Sequence, residues 1–139
     1  MTGTKAGWTE DQADGFRFYV AGLSIAEFHH GDCIGSDEES HRCIRSVFGL
    51  SVHIILHPPA NPTLRAFLDH DSQYVWSEKP YLARNADIVA ATSMLIATPG
   101  EHDERLRSGT WATVRRARSA RKPVMFVFPD GTMKWEHPR

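Results

Sequence analysis

The pattern of hydrophobic and polar positions divides the chain into short apolar runs and longer amphipathic segments. Four runs are rich in apolar or β-branched residues and predict strands, over residues 26–30, 51–57, 94–98 and 124–128. Between them, apolar residues recur at helical spacing and predict helices that open near residue 9 and extend over residues 37–48, 80–91 and 109–121. Strands that alternate with helices indicate an α/β fold with a doubly wound, mostly parallel sheet flanked by helices.

Two other parts of the chain fit this pattern less well. Residues 58–79 contain three prolines and predict a long, functional or mobile loop with one helical turn near residues 62–67. Met1 stands only two residues before Gly3, so an incomplete first strand is expected. Either the start site is misplaced or the sheet is built without a full strand there. After residue 128, Asp130-Gly131 predicts a turn that leads into a polar tail.

Composition and charge are those of an ordinary globular protein and predict a single domain over residues 1–139. Hydrophobic residues make up 41% of the chain and charged residues 24%. The net charge of −1 provides no global field for nucleic acid or an acidic membrane. No apolar run approaches the roughly 20 residues of a membrane span, and the N-terminus is polar. The two cysteines fit a reducing compartment, so a cytoplasmic location is expected.

Glycine-containing turns follow the strand ends that this fold places along one edge of the sheet. In doubly wound sheets, ligands bind outside the carboxyl ends of the strands. Glycine permits a tight turn and a close approach by a ligand, and the free N–H groups of the next helix favour an anion. Three turns therefore predict a phosphate-binding crevice: Gly3-Thr4-Lys5; the stretch with Gly31, Asp32, Gly35, Ser36 and Asp37; and Pro99-Gly100 with Ser108-Gly109-Thr110.

Several residues of the second turn have both a structural and a ligand-binding interpretation. Ser36 and Glu39 match the S-x-x-E capping box of a helix start. Asp32 is a candidate to accept hydrogen bonds from ribose hydroxyls, or to cap its own turn. Asp37 lies in the first helical turn, where the helix dipole alone explains an acidic residue.

The third turn, Ser108-Gly109-Thr110, is expected to be the principal phosphate cradle. It offers backbone N–H groups and hydroxyls around one point at a helix start. Lys5 is a candidate point charge for the same phosphate. Trp111 is a candidate to stack on a base, or to pack against a neighbouring helix or a second subunit. The basic run within residues 115–122 is interpreted as a solvated helix face, because only one aromatic residue accompanies it.

Several short motifs occur in a fixed order along nearly the whole chain. They are T-G-T-K with G-W-T, then H-G-D-C-I-G-S-D, H-P-P, P-Y-L-A-R-N, and S-G-T-W-A-T-V-R-R-A-R with K-P-V. In this combination the sequence resembles the SLOG superfamily, which includes DprA and the lonely-guy-type phosphoribohydrolases, and within it the YspA/YpsA-related branch of small bacterial and phage proteins. The resemblance implies a Rossmann-like fold and a nucleotide or nucleotide-derived ligand. It also implies that Arg84 and Asn85 face this ligand, with Arg84 available for a bidentate phosphate contact.

One departure from the family pattern bears on activity. The phosphoribohydrolases carry a catalytic glutamate soon after P-G-G-x-G-T, whereas residues 111–114 contain no carboxylate. The leading hypothesis is therefore a binder of a nucleotide-type ligand, acting as a sensor, without a cofactor. No metal is expected either, because the histidines lack zinc-ligand spacing. The alternative is a hydrolase of a nucleotide or nucleoside bond, in which Asp32 or a residue of the 58–79 loop replaces the glutamate. A nucleic-acid adaptor ranks third, and homo-oligomerisation is left open.

Overall fold

The computed structural model describes residues 1–138, in which short strands alternate with helices. The strands are β1 (Thr2–Gly3), β2 (Glu27–His30), β3 (His53–Leu56), β4 (Tyr74–Val75), β5 (Leu95–Thr98), β6 (Val124–Val127) and β7 (Met133–Glu136). The helices are α1 (Glu10–Ala21), α2 (Ser36–Phe48), α3 (Tyr81–Ala91) and α4 (Gly109–Ser119), with single 3-10 turns at Gly49–Ser51, Pro62–Leu64 and Asp69–Asp71. Across residues 1–138, none of the helices is long and apolar enough to cross a membrane.

The strands pair into two sheets that are parallel except at one edge. One sheet has the order β1-β5-β6-β7, in which only β7 is antiparallel to its neighbour, and the other has the order β2-β3-β4. The sheets meet where the amino nitrogen of Met1 donates to the carbonyl of His29 at 3.0 Å. The fold is therefore α/β and Rossmann-like, as the sequence predicted, and its first strand has only two residues.

Two apolar cores form on opposite faces of the strands. Residues of α1 and α2, such as Phe16 and Ile44, pack with Ile96 of β5. Residues of α3 and α4 instead pack with Leu95 and Ala97 of the same strand. This alternation follows from the period of two in a β-strand, and it explains why β5 is apolar throughout.

Strand β7 corrects the expectation of a polar tail after Asp130-Gly131. Residues Met133–Glu136 pair antiparallel with Val124–Val127, so the prediction for this segment was wrong. The strand lies at the edge of its sheet and is half-buried at most, with the burial rising toward Trp135. An edge strand of this kind needs few apolar residues, and its sequence does not show the pattern that identifies a buried strand. The two-residue strand β4 within the 58–79 loop was missed for a similar reason, because it is too short to have a pattern.

Two pairs of histidines are buried beside β2, His30 with His41 of α2 and His29 with His57 at the end of β3, and their hydrogen bonds define which nitrogens carry protons. The backbone N–H of Asp32 donates to Nδ1 of His30, so the Nε2–H of His30 donates to Nδ1 of His41 at 2.9 Å. His41 then donates to the Asp71 carboxylate at 3.0 Å. This arrangement uses neutral imidazoles, because a second proton on His41 would remove the acceptor that His30 needs.

In the second pair, His29 and His57, each ring again donates through Nε2, but one ring nitrogen has no hydrogen-bond partner. Glu27 accepts from Nε2 of His29, so His29 accepts through Nδ1 from Nε2 of His57 at 2.8 Å. Nδ1 of His57 is buried and has no hydrogen-bond partner among residues 1–138. Burial, with a further contribution from His29, lowers the pKa of His57 to about 3. Burial also lowers the pKa values of His30 and His41.

These histidines predict a fold that loses stability in mild acid. The imidazoles titrate near pH 6.5 in the unfolded chain, so below that pH the unfolded state binds more protons than the folded state. The contribution of these histidines to the free energy of unfolding is therefore fully present above about pH 6.5. It is lost progressively as the pH decreases toward about 3. In urea titrations between pH 7.5 and 4.5, His57→Gln should reduce the pH dependence of the unfolding free energy by on the order of 1 kcal/mol per pH unit near pH 5. The exposed His53→Gln control should leave this dependence unchanged.

Candidate functional site

A cleft of about 680 Å³ opens at the carboxyl ends of β1, β2 and β5. The segment before α1, the turn between β2 and α2, the first half of α3 and the loop between β5 and α4 contribute most of its wall. Ten residues proposed from the sequence line this cleft: Gly3, Thr4, Lys5, Asp37, Arg84, Asn85, Gly100, Ser108, Gly109 and Thr110. The fold thus brings parts of all three glycine turns to one place.

The loop after β1 is fixed against the start of α2 by close backbone contact. Gly35 has a φ angle of 90°, and a Cβ at this position would overlap the carbonyl group of Lys5. Ser36 donates to the carbonyl of Thr4 twice, from its hydroxyl at 2.7 Å and from its backbone N–H at 3.1 Å. Gly35 and Ser36 therefore do not line the cleft, but they position Thr4 and Lys5, which do.

The capping box predicted for α2 is wrong. The N-cap of this helix is Gly35, which has no side chain to offer, and Ser36 is the first helical residue. Glu39 accepts instead from the backbone N–H of Trp8 at 2.6 Å. Both polar side chains are used to hold the segment that precedes α1. The S-x-x-E spacing is the same for either arrangement, which is why the sequence alone did not separate them.

Arg84 of α3 carries a guanidinium group that is buried but incompletely paired. The residue is 4% exposed, and its nearest carboxylate oxygen, Oδ2 of Asp37, lies 3.8 Å from Nη1. Nη2 donates to the sulfur of Cys33 at 3.4 Å, and the guanidinium lies over the ring of Tyr81, 5.3 Å from its centroid. Nε is buried and has no partner among residues 1–138. A buried cation with this few hydrogen bonds is costly, so its position at the cleft needs an explanation.

Gly31 provides the space that this guanidinium occupies. A Cβ at position 31 would overlap Nη1 of Arg84, and it would lie 2.9 Å from Oδ2 of Asp37. The backbone N–H groups of Gly31 and Cys33 donate to that same oxygen, at 3.2 and 3.3 Å. Gly31 therefore does not line the cleft itself; it admits the arginine that does.

Asp32, for which the sequence offered a ligand contact or a cap of its own turn, binds residues of the 58–79 loop instead. The residue is fully buried with a φ angle of 53°, and Oδ2 pairs with the guanidinium of Arg65 at 2.7 Å. Oδ1 accepts from the backbone N–H of Leu68 at 3.0 Å. The carboxylate thus fastens the 58–79 loop to the end of β2, and Asp32 is not part of the cleft wall.

Trp111 and Pro99 also lie behind the cleft. Trp111 is 3% exposed and packs against Phe126, with ring centroids 5.5 Å apart, while its indole N–H donates to Glu101 at 2.7 Å. Of the two roles proposed for this residue, the structure shows packing. The Pro99 carbonyl accepts from the side-chain amide of Gln12 at 2.9 Å, which ties the end of β5 to α1.

The start of α4 presents free donors beside a tyrosine. Ser108 is the N-cap and accepts from the N–H of Trp111 at 3.3 Å, which leaves the N–H groups of Gly109 and Thr110 outside the helical hydrogen-bond pattern. Gly109 packs so closely on Tyr81 that a Cβ there would overlap the phenol oxygen. The absence of a side chain at Gly109 thus admits Tyr81 of α3, which lines the cleft.

Basic groups are in excess around the cleft. Among residues 1–138, its wall contains four basic side chains, Lys5, Arg84, Arg105 and Arg107, and two carboxylates, Asp37 and Glu101. Burial raises the pKa of Asp37, although the neighbouring Arg84 acts in the opposite direction. Burial also raises the pKa of the Cys33 thiol. In the same range, no cluster of histidine, cysteine, aspartate and glutamate has the makings of a metal site.

Sequence reasoning missed some residues of the cleft wall. Residues 101–107, which the sequence did not assign to the crevice, form a mostly exposed loop whose Glu101, Arg105 and Arg107 line the cleft. The available signal was their position between Gly100 and Ser108, two residues that the sequence had already assigned to the crevice. Tyr81 and the apolar Leu64 gave no such signal, because their place depends on the packing of α3 and of the 58–79 loop.

The fold and the position of the cleft define a Rossmann-like α/β protein with a ligand-sized opening at its strand carboxyl ends. The chain is similar to a solved structure titled "X-ray structure of TM1055", a structural-genomics target, with a TM-score of 0.59 and 12% sequence identity. The match covers 88% of this chain and 70% of that chain, and at this identity it shows a shared fold. Comparison with protein-family models and with curated proteins gives no match.

The contact between Gly31 and Arg84 predicts a specific non-additivity. Gly31→Ala should lower the free energy of unfolding by about 1–3 kcal/mol, because the new methyl group overlaps the guanidinium. The same change in an Arg84→Ala background should cost much less, since the overlapping group is gone. Gly22→Ala, whose nearest contact would be an ordinary 3.6 Å, serves as a control and should change stability by no more than about 0.5 kcal/mol. Urea denaturation of the four-variant cycle measures the coupling, and equal costs in both backgrounds would contradict this role.

Proposed function

We propose that this protein binds a nucleotide-type ligand in the cleft, with the ligand's phosphate held between Arg84 and the start of α4. The observation that carries the proposal is the buried, incompletely paired guanidinium of Arg84 in the cleft wall. Asp37 at 3.8 Å is too far for a hydrogen bond, so the charge of Arg84 is only partly compensated. A phosphate oxygen bound to Nη1, which makes no hydrogen bond within residues 1–138 and is not enclosed as Nε is, supplies an acceptor and a negative charge together.

The start of α4 supports the same ligand chemistry. The N–H groups of Gly109 and Thr110 add to the positive end of the helix dipole, which favours an anion. Lys5, Arg105 and Arg107 line the same cleft, and their positive charge raises the local concentration of anions. The resemblance of the ordered motifs to those of the SLOG superfamily favours a nucleotide over a simple inorganic anion. A cleft of about 680 Å³ has room for a nucleoside with its phosphates.

A second candidate function is hydrolysis of a bond in that ligand. Asp32 is committed to Arg65, which leaves Asp37 as a buried carboxylate in the cleft wall. A raised pKa suits a carboxyl group for proton donation to a leaving group. Incubation with a panel of ribonucleoside 5′-phosphates, followed by chromatography, separates the two functions, because a hydrolase releases products and a binder returns the ligand intact.

Arg84 provides the direct test of phosphate binding. Isothermal titration with ribonucleoside 5′-monophosphates and with the matching nucleosides measures the contribution of the phosphate. Arg84→Lys should weaken binding of the monophosphates by about 1.5–3 kcal/mol, because lysine lacks the planar, two-pronged donor geometry. The loss should be smaller for the nucleosides. The exposed Arg116→Lys variant on α4 is the matched control and should bind as the parent does.

Equal losses for the phosphorylated and unphosphorylated ligands would assign Arg84 a structural role and contradict the proposal. Urea denaturation of each variant shows whether a loss of binding reflects a loss of folded protein. Mass spectrometry of the natively purified protein adds an independent measurement, since a co-purifying ligand would report its base and its number of phosphates.

A further inference from the structure

Asp37 has one carboxylate oxygen committed to the protein and one that is not. Oδ2 accepts from the N–H groups of Gly31 and Cys33 and faces Arg84. Oδ1 makes no hydrogen bond within residues 1–138, although the residue is only 7% exposed and lies in the cleft wall. Unlike Nε of Arg84, this oxygen is not enclosed by protein atoms, so it is open to the cleft. A carboxylate oxygen is therefore available as a hydrogen-bond acceptor in the cleft wall.

Asn85 presents a second polar group of the same kind. The residue follows Arg84 on α3, is 6% exposed and lines the cleft. Its side-chain amide has no hydrogen-bond partner among residues 1–138, and its polar atoms, too, are open to the cleft rather than sealed. Buried amides are nearly always hydrogen-bonded, so an amide in a cleft wall that lacks a protein partner is available to bind a ligand.

The two groups differ from the phosphate-binding elements in the chemistry they select. A carboxylate accepts hydrogen bonds and repels a phosphate, whereas the amide of Asn85 both donates and accepts. Hydroxyl groups also donate and accept, so two neighbouring hydroxyls match the pair. A base edge has suitable groups too, but its flat faces require apolar walls. Exposed apolar surface of this kind is offered by Ile34, which is 44% exposed, and by the partly exposed Leu64, whereas Ile88, near Asn85 on α3, is only 1% exposed.

We propose that Asp37 and Asn85 bind the hydroxyl groups of a ribosyl unit, so that the cleft selects phosphorylated ribose derivatives over their deoxy counterparts. This inference rests on the proposed function, because it uses Arg84 and the start of α4 for the phosphate of the same ligand. Asp32, the carboxylate that the sequence offered for this role, has both oxygens occupied by Arg65 and Leu68. Asp37 is the carboxylate at this turn with an open oxygen.

Ligand-observed NMR titrations with three base-free probes test the inference: inorganic phosphate, 2-deoxyribose 5-phosphate and ribose 5-phosphate. The parent protein should bind ribose 5-phosphate roughly tenfold or more tightly than the deoxy sugar, because losing a hydroxyl leaves a buried polar group unpaired. Asp37→Asn and Asn85→Ala should each reduce this ratio toward one. Both variants should bind inorganic phosphate as tightly as the parent, or more tightly for Asp37→Asn, which removes a negative charge.

Asp14→Asn, an exposed substitution on α1, is the matched control and should leave all three affinities unchanged. Asparagine at position 37 retains an oxygen for the two turn N–H groups, and Asn85→Ala gives a second variant should that substitution unfold the protein. Equal affinity of the parent for the ribose and deoxyribose phosphates would overturn the inference while leaving the proposed function intact. Failure of all three probes and of the nucleotide panel would overturn both.

Discussion

The guanidinium of Arg84 lies buried against the turn after β2, and much of the cleft follows from the space and charge that it requires. Space is provided by Gly31, where any side chain would overlap the guanidinium. Partial compensation of charge comes from Asp37, whose Oδ2 is itself fixed by two N–H groups of the turn. This oxygen accepts hydrogen bonds from both N–H groups but lies 3.8 Å from Nη1 of Arg84. It is therefore too far from the guanidinium for a hydrogen bond. The result is a fixed cation with unused hydrogen-bonding capacity.

A second constraint is the close approach of backbone segments around the short first strand. Gly3 leaves no room for a Cβ against Thr98 and Ser36, and Gly35 leaves none against Lys5. The carbonyl of Thr4 takes two hydrogen bonds from Ser36. A strand of two residues has few ladder bonds, so these contacts contribute much of what positions Thr4 and Lys5 at the cleft. Gly3 and Gly35 thus allow the close packing of these protein segments against one another.

The sequence predicted the elements whose apolar periodicity reflects burial, and with them the edge of the sheet at which the turns meet. It did not predict β7, because an edge strand with one open face lacks that periodicity. It also did not distinguish Asp32 from Asp37 as the carboxylate that faces the cleft. The two aspartates lie five positions apart in the same turn. The directions of their side chains depend on the positive φ angle of Asp32 and on Arg65, which is distant in sequence. Local motifs specify the turn, whereas tertiary partners decide which side chain points where.

Tyr81 links the two elements that we propose to hold the phosphate. Its ring lies over the guanidinium of Arg84, and its hydroxyl packs against Gly109 at the start of α4. Arg84 belongs to α3 and Gly109 to α4, so the spacing between the cation and the helix N-terminus depends on how these two helices pack. Lys122 strengthens that packing by donating to the carbonyls of Ala90 and Thr92 at the end of α3. The distance between Arg84 and Gly109 thus depends on contacts at both ends of the helix pair, Tyr81 beside the cleft and Lys122 at the far end.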